Sequence, residues 1–152
     1  GLLAAEGASV TLTSRTIARA QTACAAVKDR FGVDVTPAAA DGEVTTAVAL
    51  EGACAVVCTG VEGVQLVPET LWREHPTLRV LADVNAVPPL GVEGTKATWN
   101  GKEIGDKLLY GALGIGDLKM KVHKRSVARL FERNDLVLDA EGIMESAKEL
   151  AG

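Results

Sequence analysis

The sequence predicts an α/β protein with a doubly wound parallel sheet and helices on both faces. Short apolar runs alternate with segments of helical periodicity along the 152 residues, which is typical of parallel βαβ units. Glycine, proline or polar pairs follow these runs, as they do at the ends of strands and helices. The chain is 47% hydrophobic but only 3% aromatic, so Ala, Val, Leu and Ile must build the core, as in parallel sheets.

The first half of the chain predicts two helices and three strands after a short helical start. Gly1–Glu6 fits the last turns of a helix that ends at Gly7, and the alternating run Ala8–Thr13 fits a strand. Apolar residues recur at three- and four-residue steps through Ile17–Phe31, which predicts an amphipathic helix. The remaining predictions here are a strand over Val33–Thr36 broken by Pro37, a helix over Glu43–Leu50 and a buried strand over Cys54–Cys58.

The middle of the chain predicts a helix and two strands. Pro68–His75 fits a short helix with proline near its first turn. Arg79–Ala82 and Leu108–Gly111 fit strands, and the polar stretch Gly91–Gly105 between them fits a hairpin or loop. We place Trp99-Asn-Gly at a turn, because Asn-Gly favours one.

Two helices are predicted at the end of the chain. The longer begins at Ile115 or Gly116 and ends at Arg133, and its predicted inward residues are Leu118, Val122, Val127, Leu130 and Phe131. The other is Ala140–Ala151, with Asp139 as its N-cap. Its predicted apolar face consists of Ile143, Met144, Ala147 and Leu150.

Charge and hydropathy argue against two classes of partner. The net charge is −4 and no basic stripe stands out, so we expect no nucleic acid partner. No apolar run approaches membrane-spanning length, and no signal segment is recognisable. We therefore expect a cytoplasmic protein without a membrane partner.

The three cysteines predict neither disulfides nor a metal site. An odd number with apolar neighbours argues against a disulfide framework. Cys54 and Cys58 would lie about 13 Å apart along one strand, too far for one metal ion. We predict that both are small buried apolar residues, and no other metal-ligand spacing occurs.

Arg15 follows the first strand, where dinucleotide-binding folds contact the adenosine ribose. An acid there binds the ribose 2′-hydroxyl of NAD, whereas an arginine pairs with the 2′-phosphate of NADP. Ser14 and Thr16 can donate hydroxyl groups to the same phosphate. The alternative is an ordinary exposed arginine at a strand end, and the residues alone do not decide between the two.

Two further groups of candidate site residues follow predicted strands. Thr59 and Gly60 follow a strand and can approach a cofactor, although a left-handed glycine turn explains them equally well. Asp83 and Asn85 follow the next strand, at the edge where ligands bind in α/β sheets, and their alternative is turn chemistry before Pro88-Pro89.

Asp117 and Lys121 lie four residues apart on the long predicted helix, so they share one face. We place Asp117 in the first turn, where its charge suits the helix dipole. The pair is either a solvated ion pair or a salt bridge that faces the ligand cleft.

Three long segments carry a family resemblance. They are Ala82-Asp-Val-Asn-Ala-Val-Pro-Pro-Leu-Gly91, Thr95-Lys-Ala-Thr-Trp-Asn-Gly-Lys102 and Gly111-Ala-Leu-Gly-Ile-Gly-Asp-Leu-Lys119. With them the chain resembles the NAD(P)-dependent methylene-tetrahydromethanopterin dehydrogenases of methylotrophic bacteria, a group that includes a methylene-tetrahydrofolate-active relative. The resemblance extends from Gly1 to about the last residue.

The resemblance implies an oxidoreductase of one-carbon metabolism. It would transfer hydride from methylene-tetrahydromethanopterin, or methylene-tetrahydrofolate, to NADP or possibly NAD, and act as a homo-oligomer. Asp117 and Lys121 would lie by the nicotinamide and the pterin as catalytic residues. The implied cofactor-binding residues are Thr13, Ser14, Arg15, Thr16, Thr59, Gly60, Asp83, Asn85 and Ala86.

The family pattern also implies that residues 1–152 form one Rossmann-like NAD(P)-binding domain that is N-terminally truncated. The glycine-rich phosphate loop does not occur, since Gly114-Ile-Gly116 is only half of such a pattern and lies late in the chain. We expect the first strand, that loop and a pterin-side domain upstream. The alternatives are another Rossmann dehydrogenase of the shikimate or folate type, and a non-catalytic nucleotide-binding domain.

Overall fold

Strands alternate with helices and pair mainly in parallel in the computed structural model, which describes residues 1–151. This confirms the predicted Rossmann-like α/β class. The elements in chain order are α1 (Leu2–Ala5), β1 (Thr11–Ser14), α2 (Ile17–Phe31), β2 (Thr36–Ala39), α3 (Glu43–Leu50), β3 (Ala55–Cys58), α4 (Glu69–Trp72), β4 (Val80–Asp83), β5 (Asn100–Ile104), β6 (Lys107–Tyr110), α5 (Ala112–Arg129) and α6 (Ala140–Ala151).

The strands form two sheets. One has the order β1-β2, and the other has the order β3-β4-β6-β5. All neighbours are parallel except β5 and β6, which form an antiparallel hairpin. β1 pairs with β2 on one side and β3 pairs with β4 on one side. Within residues 1–151, no strand pairs with the other side of β1 or of β3, which we call their second edges.

The core lies against the four-stranded sheet. Trp72 is fully buried, and its indole N–H donates to the carbonyl oxygen of Glu93 at 3.0 Å. The other buried members of this cluster are Leu50, Cys58, Val67, Leu78, Leu81, Val92 and Leu109. Aliphatic side chains thus supply most of the core, as the composition predicts.

Pro37 lies inside β2, so the prediction that it breaks the strand was wrong. The N–H of Thr36 donates to Val10 at 2.9 Å, and the N–H of Ala40 donates to Ser14 at 2.8 Å. Because N–H groups alternate in direction along a strand, the nitrogen of Pro37 points away from β1 and no ladder bond is lost.

The prediction that Trp99-Asn-Gly forms a turn was also wrong. Asn100 begins β5, and Gly101, at φ 69°, forms a bulge where two residues of β5 oppose one residue of β6. The hairpin turns instead at Gly105 and Asp106, where Gly105 has φ 59°. Gly91–Gly105 is therefore a loop followed by a strand.

Helix α5 begins at Ala112, earlier than predicted, and ends at Arg129. Its first N–H groups have acceptors outside the helix, since Leu113 donates to the carbonyl of Ala97 at 2.8 Å and Gly111 donates to Trp99 at 2.8 Å. Its predicted inward face was wrong, because Leu118 is 59% exposed and Phe131, beyond the helix, is 87% exposed.

Helix α6 has the predicted bounds and the predicted cap, since Asp139 Oδ1 accepts from the N–H of Gly142 at 3.0 Å. Its predicted apolar face is only partly buried, because Ile143 and Leu150 are exposed and Ser146 is the fully buried residue. The Ser146 hydroxyl accepts from the Arg129 guanidinium of α5 at 2.8 Å. Polar contacts thus help to hold α6 on α5.

No helix within residues 1–151 is both long enough and apolar enough to cross a lipid bilayer.

Candidate functional site

The predicted cofactor-binding residues lie at the carboxyl ends of parallel strands, in two groups. Thr59 and Asp83–Ala86 follow β3 and β4, and the N-terminus of α5 follows the neighbouring strand β6. The structure therefore brings these residues to one edge of the four-stranded sheet. Thr13–Thr16 lie at the end of β1, in the other sheet.

Arg15 lies directly before the N-terminus of α2. Its side chain is exposed, and among residues 1–151 no carboxylate forms an ion pair with it. Thr16 is the N-cap of α2, and its hydroxyl accepts from the N–H of Arg19 at 3.4 Å. The first turn of α2 contains no acid, so its dipole and the guanidinium both favour an anion here.

Thr13 is exposed and Ser14 is half-buried at the end of β1. The carbonyl of Ser14 accepts from the N–H of Ala40, which fixes the strand end. The backbone that carries the Ser14 and Arg15 side chains is thus held by a hydrogen bond to the segment after β2.

Asp83 is 1% exposed, and both of its carboxylate oxygens accept backbone hydrogen bonds. Oδ1 accepts from the N–H of Asn85 at 2.9 Å, and Oδ2 accepts from the N–H of Val92 at 3.0 Å. The carboxylate therefore holds together the two ends of the loop 84–91. These two bonds are the turn chemistry that the sequence offers as the alternative for Asp83.

The loop that Asp83 closes borders a cavity of about 430 Å³. Ala86 lies on its wall with Pro88, Pro89 and Leu90, and Gln65 and Lys96 add polar groups. Asn85 precedes this wall and is 5% exposed. Its side-chain Nδ2 is buried without a hydrogen-bond partner in the described part of the chain.

Thr59 and Gly60 are exposed after β3. The alternative of a left-handed turn at Gly60 was wrong, because Gly60 has no positive φ, whereas Gly63 adopts φ 72°. A Cβ on Gly60 would lie 2.5 Å from Leu66 Cδ1. The end of the Leu66 side chain therefore packs closely against Gly60.

The cysteines do not supply a reactive thiolate at this edge. Cys58 is buried at the end of β3, and burial, with the nearby Asp83 carboxylate, raises the pKa of its thiol to about 12. Cys24 is also buried. Cys54 is exposed, so the prediction of burial was wrong for it, and it lies just before β3, which begins at Ala55. Within residues 1–151, no three His, Cys, Asp or Glu residues are grouped to hold a metal ion.

Asp117 and Lys121 are exposed on α5. Because α5 begins at Ala112, Asp117 lies in its second turn and the placement in the first turn was wrong. No ion pair joins Asp117 to Lys121 among the side chains that the structure describes. Asp117 and Lys121 therefore lie in the second and third turns of α5 without an ion pair between them.

The glycines before Asp117 serve different purposes. A Cβ on Gly111 would overlap the carbonyl of Lys96, and a Cβ on Gly114 would overlap the carbonyl of Trp99. A Cβ on Gly116 would meet nothing within 4 Å. Gly111 and Gly114 thus allow α5 to pack closely on the segment 96–100.

Sequence reasoning missed one buried charge, Lys107, which is 3% exposed. Its ammonium donates to Asp106 Oδ1 at 2.7 Å and to the carbonyl of His75 at 3.0 Å. The hydrogen bond from Lys107 lowers the pKa of the Asp106 carboxyl. Lys107 begins β6, so it lies at the opposite edge of the sheet from Thr59 and Asp83.

Two proteins of Methylorubrum extorquens are similar to this chain. The chain is 45% identical over 146 residues to the bifunctional protein MdtA, and these residues are 96% of the chain and 51% of MdtA. It is 33% identical over 135 residues to an NAD(P)-dependent methylenetetrahydromethanopterin dehydrogenase, and the match covers 83% of the chain and 43% of that enzyme. The chain spans about half the length of these relatives. No protein-family model matches the chain.

Proposed function

We propose that this chain is the nicotinamide-cofactor-binding part of a methylene-tetrahydromethanopterin dehydrogenase. The similarity to an NAD(P)-dependent enzyme of that name, over 83% of the chain, carries this proposal. The Rossmann-like fold agrees with it, because such sheets bind dinucleotides at the carboxyl ends of their strands. The substrate is methylene-tetrahydromethanopterin or methylene-tetrahydrofolate, and the product is the methenyl form.

The residues at the end of β1 suit the adenosine half of NADP. Arg15 has no carboxylate partner in residues 1–151, so its guanidinium is available to a 2′-phosphate. The Ser14 and Thr16 hydroxyl groups lie on either side of it in sequence. NAD can bind the same fold without this ion pair, so we propose NADP as the preferred cofactor.

The residues that follow β3, β4 and β6 suit the nicotinamide and pterin rings. When bound, the nicotinamide supplies a hydride acceptor for the methylene carbon of the pterin. Two nitrogens stabilise the methenyl cation, so this step needs no general base. The protein contributes by positioning the rings and by placing charge near the cation. In this proposal the Asp117 carboxylate offsets the cation, and Lys121 orients Asp117 or binds the pterin.

We further propose that the complete protein has a pterin-side domain and one more strand outside residues 1–152. The unpaired edges of β1 and β3 support the additional strand, because it would join the two sheets into one. The glycine-rich phosphate loop would follow that strand.

The test is an assay of the complete protein that contains this chain. Each pterin substrate is combined with NADP and with NAD, and formation of the reduced nicotinamide is followed by absorbance. We expect turnover with at least one pterin and a higher kcat/KM with NADP. Cofactor binding without turnover of either pterin would favour another dehydrogenase or a non-catalytic nucleotide-binding domain, and no nicotinamide binding would overturn the proposal.

A further inference from the structure

The cavity of about 430 Å³ beside the loop 84–91 has an apolar wall and a polar wall. The apolar wall includes Pro88, Pro89 and Leu90, and the polar residues that line the cavity include Gln65, Glu93 and Lys96. Sites for small molecules typically have volumes of about 300–1,000 Å³ and combine apolar walls with a few polar groups that orient the ligand. The cavity therefore has the size and the lining of a site for a ring.

Backbone hydrogen bonds hold the two sides of this cavity together. The N–H groups of Leu66 and Val67 both donate to the carbonyl of Gly91, at 2.8 and 2.9 Å. Asp83 Oδ2 accepts from the N–H of Val92 at 3.0 Å. Because the walls are already fixed, a ligand would not have to order them when it binds.

Lys96 carries an unpaired charge in the lining. Its side chain is exposed, and it forms no ion pair within residues 1–151. The acid that lines the same cavity, Glu93, is engaged elsewhere, since its Oε2 accepts from the N–H of Glu69 at 2.9 Å. Gln65 is exposed as well, and its amide offers both a donor and an acceptor. A ligand can reach both Lys96 and Gln65 from solvent.

The charge of Lys96 distinguishes between the two rings of the proposed reaction. The oxidised nicotinamide ring is positively charged, so an unpaired ammonium group opposes its binding in this cavity. The pyrimidinone half of a pterin is flat and uncharged, and it carries a carbonyl oxygen next to a ring N–H and an amino group. An ammonium group can donate to that carbonyl, and a glutamine amide can accept from the N–H or the amino group.

We infer that this cavity holds the pyrimidinone half of the pterin, with Lys96 donating to its carbonyl and Gln65 paired with its N–H edge. The ring then lies against Pro88 and Pro89. This inference rests on the proposed function and extends it, because it assigns pterin recognition to two residues of this domain in addition to the upstream domain.

The test uses Lys96→Met and Gln65→Leu in the complete protein. Three constants are measured: the KM for the pterin substrate, the KM for NADP, and the inhibition constant of tetrahydropterin, which has the ring but not the tail. Loss of the charged donor should raise both pterin constants about tenfold or more, and Gln65→Leu should raise them about three- to tenfold. The KM for NADP and the melting temperature should not change, since both side chains are exposed.

Lys102→Met is the matched control. Lys102 is an exposed lysine of β5 that forms no ion pair within residues 1–151, and it does not line the cavity. Its substitution removes the same charge from the same domain. All three constants should therefore equal those of the wild type.

Unchanged pterin constants in Lys96→Met and Gln65→Leu, or a higher KM for NADP, would overturn the inference while the wild type still turns over. A higher KM for the substrate with an unchanged inhibition constant of tetrahydropterin would also overturn it, because Lys96 would then bind the tail of the substrate. A wild type that turns over no pterin would instead overturn the proposed function, and the inference with it.

Discussion

Arg15 and Asp83 both carry a charge at the end of a strand, but they differ in burial and in hydrogen-bond partners. Asp83 is buried with both oxygens accepting backbone N–H groups, so it already stabilises the fold. Arg15 is exposed without an ion pair among the described residues, so its charge is free to bind a ligand. The sequence predicts that both lie at strand ends, but it could not separate them, because their partners come from tertiary contacts.

Arg15→Ala in the complete protein should raise the KM for NADP and leave that for NAD nearly unchanged. A charge-assisted hydrogen bond contributes about 1.5–3 kcal/mol, so the KM for NADP should rise at least about tenfold. Steady-state kinetics with both cofactors measures this. Lys28→Ala is the control, since Lys28 lies in the last turn of α2 and pairs with Asp34 at 2.7 Å. An equal effect on both cofactors would remove Arg15 from the 2′-phosphate site.

The sequence predicted the bounds of those helices that nearby residues specify. The bounds of α2, α3 and α6 agree with the prediction, because apolar periodicity and the residues that follow or cap these helices specify them. The predictions failed at Pro37 and at the start of α5, where the decisive contacts come from residues distant in sequence. The helix begins at Ala112, before the predicted start, because Gly111 and Gly114 allow close packing on the segment 96–100.

Alanine substitutions at the three glycines should separate packing from helix propensity. Gly111→Ala and Gly114→Ala would overlap the carbonyls of Lys96 and Trp99, so each should destabilise the protein by about 1–3 kcal/mol or more. Gly116→Ala meets open space in a helix and should stabilise it by about 0.5–1 kcal/mol. Urea denaturation measures all three. Similar values for the three variants would show that α5 does not pack closely on segment 96–100.

Asp117→Ala and Lys121→Ala in the complete protein should reduce turnover far more than stability. Both side chains are exposed, and surface charges contribute at most about 1 kcal/mol, so the melting temperature should barely change. A charge near the developing cation can lower the barrier by a few kcal/mol, which is about 100-fold in rate.

The control for this pair is Arg125→Ala on the same helix. Arg125 pairs with Glu149 of α6 at 3.3 Å, so its charge already has a partner away from the proposed cleft. Arg125→Ala should turn over like the wild type. Normal turnover in Asp117→Ala and Lys121→Ala would show that these two charges form a solvated helix face.

The alternation of strands and helices predicted the fold class, but only the structure shows that the strands form two separate sheets. Strand order depends on which edges meet, and no local pattern in the sequence encodes that. Val57 of β3 is 51% exposed, whereas Cys58 of the same strand belongs to the buried core and Val56 packs against it. The second edges of β1 and β3 are the surfaces that a further strand would cover.

Hydrogen exchange of single backbone amides tests whether such a strand exists in the complete protein. Val10 and Ser14 direct their carbonyls to β2, and Cys54 and Cys58 direct theirs to β4. Since backbone groups alternate along a strand, the amides of Thr13 and Val57 face the second edges. They should exchange rapidly in residues 1–152 alone and slowly in the complete protein.

Leu12 and Val56 are internal controls in the same two strands, because their amides face the partners that the structure already supplies. They should be protected in both proteins if residues 1–152 fold alone. Protection of Thr13 and Val57 only in the complete protein would join β1 and β3 through one added strand, which would complete a continuous sheet beneath the cofactor. If both amides exchange as rapidly in the complete protein as in residues 1–152, no strand fills that position, and Arg15 and Asn85 cannot belong to one continuous dinucleotide site of the Rossmann type.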